Sequence, residues 1–375
     1  MEPADVVIVG GGPAGAAAGI TLAGRGARVT LVDRSRFPRK KVCGGLLTQR
    51  SLKLAIDLLG GDLPSTVPMT STGRVKLYDG GQCLNSVEMG TPMHGVDRID
   101  FDFAMVEAAS RAGCRILEKC RVRSLSVDRQ TLEIGGEKLP YDFLIAADGV
   151  NSQVRRMLGR PLDATGIATA YQTHIPLEEA SELGLTGCHC VYLGHVDYGW
   201  GWSFPKRGHV TVGLAGLGLD GRRLKEVFLG FLEDLGFNWR VSGARLEGAF
   251  LPFGAFDRQP CARRVLFAGD AAGFADPITG EGVLHAMLSG RAAAHSILDC
   301  PARAEETYVR SLKTTVMNRM NQARLLRPFF FSRILKPVSK KIIAAREENL
   351  RRFMEAAAGE ASYAECLAGS FLPWR

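Results

Sequence analysis

The 375-residue sequence lacks the features that mark membrane-spanning, secreted or disulfide-rich proteins. No apolar run reaches the roughly 18 residues that a membrane-spanning helix needs, and an apolar strand follows the N-terminus too closely to leave room for a cleavable leader. The nine cysteines are odd in number, irregularly spaced and without a CxxC pair, which argues against a disulfide framework. We therefore expect a cytoplasmic protein with reduced thiols.

Metal-binding patterns are equally sparse. The densest group of potential ligands is Cys188, His189 and Cys190 in the segment GCHC. A closed site needs about four ligands, and no second cluster stands nearby to supply the rest. Two small residues on one face of a strand are the favoured interpretation, so we expect no bound metal.

Composition and charge describe a globular chain with one basic region. Apolar residues make up 46% and charged residues 23% of a length that exceeds a typical single core, which predicts two domains. The net charge of +8 is concentrated: from Arg303 to Arg352 there are thirteen Lys or Arg against four Glu. The remainder is close to neutral, which predicts a localised basic surface.

The segment DVVIVGGGPAGAAAGITLAGRGARVTLVDR predicts a dinucleotide site. A continuous apolar run is typical of a parallel strand buried on both faces. Gly10, Gly12 and Gly15 then form G-x-G-x-x-G: the first permits a tight turn, the second lets the backbone approach a pyrophosphate, and the third lets helix and strand pack closely. A second apolar run ends at Asp33, at the spacing where a carboxylate accepts hydrogen bonds from a ribose.

Two later motifs favour FAD over NAD alone. FLIAADGVNSQVRR predicts a strand that ends at Asp148 and Gly149, and RVLFAGDAAGFADPITGEGVLHA predicts another that ends at Gly269 and Asp270. A strand-end aspartate suits the ribityl hydroxyls. The amides at 280–282, at a predicted helix start, suit the negative charge of a reduced flavin near N1 and C2=O.

These motifs, with Arg98 and Asp102, resemble the flavoprotein superfamily that contains aromatic hydroxylases, flavin halogenases and geranylgeranyl reductases. The resemblance implies an α/β fold: a Rossmann-like FAD-binding domain of the GR2 type, an inserted mixed β-sheet substrate domain and C-terminal helices. It implies a discontinuous FAD-binding domain at 1–66, 94–163 and 262–300, a substrate domain at 67–93 and 164–261, and a C-terminal helical basic segment at 301–375. The residues expected to bind FAD are Gly10, Gly12, Pro13, Ala14, Gly15, Asp33, Arg34, Cys43, Gly44, Gly45, Arg98, Val122, Asp148, Gly149, Gly269, Asp270, Pro277, Gly280, Glu281, Gly282 and Val283.

Three stretches bear on the branch of this superfamily. Lys41, Cys43, Gly44 and Gly45 match the K-x-C-G-G loop of geranylgeranyl reductases, and DPITGEG also resembles that branch. The stretch WGWSFP at 200–205 lies between the reductase pattern Y-x-W-x-F-P and the halogenase pattern W-x-W-x-I-P. The reductase branch is favoured, and the departure at the first tryptophan leaves the substrate open.

The segment YGWGWSFPK places aromatic residues at alternate positions, so they share one face of a strand. The resemblance implies a wall over the flavin beside a substrate tunnel, with simple core packing as the alternative. The expected substrate contacts are Tyr198, Trp200, Trp202, Phe204 and Pro205, and the expected catalytic residues are Cys43, Trp200 and Trp202. No clear proton donor is visible: Cys43, His94 and His285 are candidates.

The expected function is reduction of isolated C=C bonds in a geranylgeranyl-type lipid, quinone or diphosphate by hydride transfer from flavin N5. A flavin monooxygenase or halogenase acting on an aromatic or carrier-bound metabolite is the alternative, and a membrane electron carrier is a third. The reductant is not readable, because no second nucleotide fold is visible; the resemblance implies either NAD(P)H bound transiently or another electron carrier.

The basic segment interleaves aromatic and aliphatic residues with Lys and Arg between Leu325 and Ile343. Such a surface suits the anionic inner face of a membrane, where a lipid-like substrate resides. The alternative is that the aromatic residues pack on the substrate domain while the charges face water. Nothing else resembles a nucleic-acid recognition module, and the oligomeric state is not readable from the sequence.

Overall fold

A computed structural model describes residues 5–61 and 63–366 of the chain; positions 1–4, 62 and 367–375 of the predicted domains lie outside the described residues. The strands are β1 (Asp5–Val9), β2 (Arg28–Val32), β3 (Leu46–Leu47), β4 (Met69–Asp79), β5 (Gln82–Val96), β6 (Arg115–Leu117), β7 (Val122–Ser126), β8 (Thr131–Ile134), β9 (Glu137–Pro140), β10 (Phe143–Ala146), β11 (Ala168–Pro176), β12 (His189–Leu193), β13 (Gly199–Lys206), β14 (His209–Gly216), β15 (Glu247–Leu251), β16 (Cys261–Ala262) and β17 (Val265–Phe267). The α-helices are α1 (Pro13–Ala23), α2 (Gln49–Leu59), α3 (Leu63–Thr66), α4 (Arg98–Arg111), α5 (Gln153–Met157), α6 (Leu177–Glu182), α7 (Gly221–Asp234), α8 (Val283–Asp299), α9 (Ala304–Leu312), α10 (Asn318–Phe331), α11 (Lys336–Ala345) and α12 (Glu347–Ala357).

The first sheet has six strands in the order β16-β17-β10-β1-β2-β6. All its pairs are parallel except β16 with β17. Its central strands are buried on both faces, as their apolar runs predict. The carboxyl ends of β1, β2, β10 and β17 meet at one edge, where open parallel sheets bind ligands.

Helices α1 and α8 pack closely beside this sheet. A Cβ on Gly290 of α8 would lie 2.0 Å from the Ala14 carbonyl oxygen of α1, so the two helices approach at a glycine. A Cβ on Gly269 would lie 3.0 Å from the Ala14 side chain. This packing sets the middle of α8 next to the start of α1, directly after the glycine-rich turn that follows β1.

The second sheet has eight strands in the order β15-β11-β14-β13-β12-β4-β5-β3. Its pairs are antiparallel except β12 with β4, so the sheet is mixed. On one face α7 contributes Phe228 and Phe231 to an apolar core. On the other, Ile343 of α11 and Leu350 of α12 pack against Val75 of β4.

The mixed α/β fold agrees with the predicted class, and the sheets bear on the predicted domain limits. The second sheet includes β3 at 46–47 and the end of β5 at 94–96, which the sequence assigned to the FAD-binding domain. A three-stranded sheet of β7, β8 and β9 lies within the predicted FAD-binding segment at 94–163. The division into domains stays a prediction.

The C-terminal segment is helical as predicted, with a π-helical turn at Lys313–Met317 between α9 and α10. Its apolar residues divide into two groups. Phe331 and Ile343 are buried, whereas Leu325 and Ile334 are 80% and 84% exposed. Within the described part of the chain, no helix combines the length and apolarity that a bilayer crossing requires.

Candidate functional site

A cavity of about 470 Å³ lies between the carboxyl edge of the first sheet and one face of the second. Residues from all three predicted nucleotide motifs line it, together with the loop after β2 and the aromatic strand β13. The predicted residues in its lining are Gly10, Gly12, Pro13, Ala14, Asp33, Arg34, Cys43, Gly44, Gly45, Arg98, Val122, Asp148, Gly149, Trp200, Trp202, Phe204, Gly269, Asp270, Gly280, Glu281, Gly282 and Val283. Gly15, Tyr198, Pro205 and Pro277 lie outside the lining.

The three glycines of the first motif meet different steric demands. Gly10 has a φ of +104°, and a Cβ there would lie 2.3 Å from the Ala147 carbonyl oxygen. A Cβ on Gly15 would lie 1.9 Å from the Gly10 carbonyl oxygen, so Gly15 permits the close helix–strand contact from behind the cavity. At Gly12 the nearest atom is Arg39 Nη2 at 3.8 Å, which leaves the backbone open to the cavity. This arrangement fits a pyrophosphate at the start of α1.

Two aspartates stand at strand ends in the cavity, Asp33 buried and Asp148 half-buried. Asp33 accepts hydrogen bonds from the backbone N–H groups of Gly11 and Ser35, both at 2.8 Å. Asp148 Oδ2 accepts from the N–H groups at 153 and 154, while its buried Oδ1 has no hydrogen-bond partner among the described residues. Burial raises the pKa of Asp148, and the hydrogen bonds oppose that shift. An orphaned acceptor of this kind fits a ligand hydroxyl.

Arg98 lines the cavity from the first turn of α4 and forms a bidentate pair with Asp102. Its Nε and Nη2 donate to the two carboxylate oxygens at 2.7 and 3.0 Å. Arg39 Nη1 lies 3.4 Å from the same carboxylate. Burial by itself lowers the pKa of Arg98, but the Asp102 carboxylate and the Cys43 thiol raise it more, so the guanidinium stays charged. Two cations thus flank one buried anion beside the cavity.

The loop after β2 packs directly against the aromatic strand. A Cβ on Gly44 would lie 3.0 Å from the Phe204 ring and 3.2 Å from Trp202 Nε1. Gly45 has a φ of +67°, and its N–H donates to Cys43 Sγ at 3.4 Å. Lys206, whose pKa burial lowers, interacts electrostatically with Cys43. The Cys43 thiol, which lines the cavity, therefore lies close to the Arg98 guanidinium and the Lys206 ammonium.

Trp200, Trp202 and Phe204 form one wall of the cavity from alternate positions of β13. The two tryptophan rings lie 5.6 Å apart at 65°, and Trp202 and Phe204 are stacked at 6.4 Å. Tyr198, which precedes the strand, instead stacks on Phe331 of α10 at 4.8 Å. The wall that reaches the cavity is therefore shorter than the sequence predicted.

The proton-donor candidates differ in position. Cys43 lines the cavity, whereas His94 and His285 lie outside its lining. His189, which the sequence analysis considered only as a metal ligand, does line it and meets Phe204 edge to face. Burial lowers the pKa of His189 to about 4, so this imidazole is neutral near pH 7.

Sequence reasoning missed the far end of the cavity. There the C-terminal helices contribute Phe330, Phe331, Ile343, Phe353 and Met354. Their aromatic spacing was visible, but a basic helix with apolar residues predicts either a membrane or a protein contact. Apolar residues of β4 and β12 line the cavity as well, so this end is mainly apolar, with Ser339 and Lys340 of α11 as polar members of the lining.

Comparisons with known proteins agree with this geometry. A family model described as an FAD binding domain matches residues 3–182. The geranylgeranyl diphosphate reductase of Rhodobacter capsulatus is 30% identical over 312 residues, which cover 78% of this chain and 75% of that protein. The menaquinone reductase of Mycolicibacterium smegmatis is 30% identical over 310 residues, with coverage of 78% and 75%.

A solved structure shares the fold. The geranylgeranyl bacteriochlorophyll reductase-like protein from Thermoplasma acidophilum superposes with a TM-score of 0.76. The match covers 99% of this chain and 96% of that chain, at 19% sequence identity.

Proposed function

Because the chain belongs to the geranylgeranyl reductase family of FAD-dependent oxidoreductases, we propose that it reduces isolated C=C bonds of an isoprenoid chain. The chain would be of the geranylgeranyl type, carried on a lipid, a quinone or a diphosphate. The names of the two reductases from R. capsulatus and M. smegmatis support this substrate class.

One observation carries the proposal: a single cavity joins a polar dinucleotide end to an apolar end. Glycine turns and strand-end aspartates line the first end, and aromatic and aliphatic side chains line the second. A carrier of electrons has no need of an apolar recess of this kind, whereas a long hydrocarbon substrate does.

The polar end would hold FAD through the turn at Gly10–Gly12, the carboxylates of Asp33 and Asp148, and the amides at 280–282. When bound, FAD supplies the hydride at N5. The aromatic wall would hold the unsaturated chain against the cofactor, since each buried aromatic ring removes roughly 150–250 Å² from water. Isolated alkenes are poor hydride acceptors, so fixed positioning would supply much of the rate.

We assign contact roles to the three predicted catalytic residues. Trp200 and Trp202 would touch the chain and keep water away from the reacting carbons. Cys43, held by Gly44 and Gly45, would lie against the cofactor ring. NAD(P)H is proposed as the reductant that binds transiently, in keeping with the family.

The experiment is an anaerobic one. The FAD-loaded protein is reduced with dithionite, and geranylgeranyl diphosphate or a geranylgeranyl lipid is added while flavin absorbance and product mass are followed. Reoxidation without oxygen, with a product heavier by two hydrogens, supports alkene reduction; the saturated phytanyl compound is the control. A flavin that stays reduced until air enters contradicts it and favours the monooxygenase or halogenase alternative.

Matched tryptophan variants test the wall. Trp200→Leu is expected to slow anaerobic reoxidation at least tenfold, because the chain loses one face of its support. Trp239→Leu removes a tryptophan outside the cavity lining and is expected to leave the rate unchanged. Equal rates of anaerobic reoxidation in the two variants would show that the aromatic wall does not help to position the substrate.

We also propose peripheral contact with an anionic membrane through α10, α11 and the connection at 332–335 between them. Four large apolar side chains stand exposed there among Arg and Lys: Leu325, Ile334, Leu335 and Val338. Each nearby cation contributes roughly 1 kcal/mol at an anionic surface. Ile334→Glu should reduce sedimentation with phosphatidylserine vesicles, whereas Val241→Glu, at a site 78% exposed elsewhere, should not. Equal sedimentation of the two variants would exclude this surface.

A further inference from the structure

A buried polar cluster fastens the loop at 276–282 to the C-terminal helices. The Tyr363 O–H donates to Asp276 Oδ1 at 2.9 Å, and Arg319 Nε lies 3.4 Å from Asp276 Oδ2. The Arg319 guanidinium also lies over the Tyr363 ring at 4.8 Å and donates to the carbonyl of Ala356. Asp276 itself accepts from two backbone N–H groups of the loop. These contacts connect the loop to both α10 and the segment that follows α12.

The carboxylate of Glu281, in the same region, has few hydrogen-bond donors. Its Oε1 accepts only long hydrogen bonds from the hydroxyls of Thr48 at 3.3 Å and Ser51 at 3.2 Å. Its buried Oε2 has no hydrogen-bond partner among the described residues. The Glu281 side chain is half-buried and faces the cavity, but a buried carboxylate oxygen without a donor loses hydration that the protein does not replace.

The charge state of Glu281 follows from that environment. Burial raises its pKa to about 7; Arg319 opposes the shift, Asp276 adds to it, and the two hydroxyls oppose it. The group can therefore gain or lose a proton near neutral pH.

Other ionisable groups that face the cluster come from α2, α8 and the C-terminal segment. Burial lowers the pKa of His285 to about 4, so its imidazole is neutral and Nδ1–H donates to the Glu281 carbonyl at 3.0 Å. Burial raises the pKa of Tyr363 well above its ordinary value. Asp276 is paired with Arg319, and Arg50 of α2 is a permanent cation. Among the groups of the cluster with a shifted pKa, Glu281 is the one whose pKa moves toward neutral pH.

Glu281 also lines the cavity, between Gly280 and Gly282 at the start of α8. The backbone amides at 280–282 are expected to face the pyrimidine end of the flavin. A reduced flavin carries negative charge there, and two negative charges at close range in a buried site disfavour each other. Reduction of the cofactor would therefore favour the neutral form of the glutamate.

We propose that Glu281 is a redox-linked proton site: its carboxylate binds one proton when the flavin is reduced and releases it when the flavin is reoxidised. In the balance, a two-electron reductant and one proton convert FAD to its anionic reduced form, and a second proton passes from solvent to Glu281. When the hydride leaves the cofactor, Glu281 returns its proton to solvent. The net charge of the buried site then stays constant. This inference goes beyond the proposed function, because it needs FAD but no particular substrate.

The test is the midpoint potential of the FAD-loaded protein between pH 6 and 8.5, measured anaerobically with dithionite and reference dyes and without substrate. One proton per two electrons changes the potential by about 30 mV per pH unit, and two protons by about 59 mV. The wild type should show a bend near neutral pH, with the steeper slope above it, where the oxidised protein holds Glu281 ionised. Glu281→Gln should follow the shallower slope throughout, and the control Glu305→Gln on α9 should retain the bend.

A bend that persists in Glu281→Gln, or a shallow slope throughout in the wild type, would overturn the proposal. If Glu281→Gln fails to retain FAD, Ser51→Ala decides. That variant removes a donor to the carboxylate, so the pKa of Glu281 should rise and the bend should move to higher pH. A bend that stays in place overturns the assignment. Because no substrate is present, failure of alkene reduction leaves these outcomes unaffected.

Discussion

Gly213 on β14 is small because Trp202 on β13 occupies the space above it. The two residues are register partners, and a Cβ on Gly213 would lie 2.2 Å from Trp202 Cζ2 and 2.4 Å from Cε2. Real Cβ atoms do not approach other atoms so closely, so Gly213→Ala must move the indole toward the cavity. Overpacking of a well-packed site costs about 1–3 kcal/mol.

The expected results form a double-mutant cycle. Gly213→Ala alone should lower the melting temperature, by roughly 1–1.5 °C per kcal/mol for a chain of 375 residues, and slow reoxidation by the isoprenoid substrate. In the Trp202→Leu background the same methyl group meets no ring, so its cost should fall to about zero. The interaction energy should then exceed about 1 kcal/mol, as expected for residues in contact.

Gly90→Ala on β5 is the matched control, because a Cβ there meets no heavy atom within 4 Å. Melting is followed by circular dichroism and cofactor release by flavin fluorescence. Gly213→Ala could instead lower the free energy of unfolding equally in both backgrounds. That result would show that the Trp202 ring does not limit the residue size at position 213, and it would refute the proposed geometry of the wall.

Three further predictions concern the polar end. Gly15→Ala should abolish FAD retention, since its Cβ would lie 1.9 Å from the Gly10 carbonyl oxygen; retention measured by fluorescence after gel filtration checks this. Asp102→Asn should destabilise the protein by about 3–5 kcal/mol in urea unfolding, because it leaves the buried Arg98 guanidinium without its anion. Burial by itself raises the pKa of Asp97, but the nearby His209 imidazole and the Lys206 ammonium, which donates to its carboxylate, lower it below its ordinary value. Its stabilising effect should therefore be present above the pKa of the unfolded state and be lost as pH falls through the lower folded pKa, and Asp97→Asn should flatten that acid limb of the unfolding curve.

The nucleotide motifs could be predicted from the sequence because each depends on the backbone conformation of only a few neighbouring residues. A turn at positive φ needs Gly10, and a helix that begins directly after a buried strand needs a residue without a side chain at Gly15. The carboxyl ends of parallel strands converge by topology, so Asp33, Asp148 and Gly269 could be placed at one edge before any coordinates were known. Their role in binding FAD stays a prediction for each residue.

The aromatic wall was predictable only in part. Strand alternation set Trp200, Trp202 and Phe204 on one face, but the strand begins at Gly199, so Tyr198 precedes it and stacks on α10 instead. Where a strand begins depends on pairing with its neighbours, and that information lies in distant segments. The pairing of β3 with β5 in the second sheet likewise joins distant segments of the chain, and the predicted domain limits at 66 and 93 stay a prediction.

By itself, the sequence determined the α/β class, the positions of the glycine turns and the presence of an aromatic strand, because each follows from backbone sterics or side-chain period over a few residues. The tertiary structure alone decided that Phe331, Ile343 and Met354 close the far end of the cavity, that Arg39 joins Arg98 at Asp102, and that Arg319 and Tyr363 reach Asp276. These contacts join residues far apart in the chain. They depend on how whole helices pack on the sheets, which no local pattern encodes.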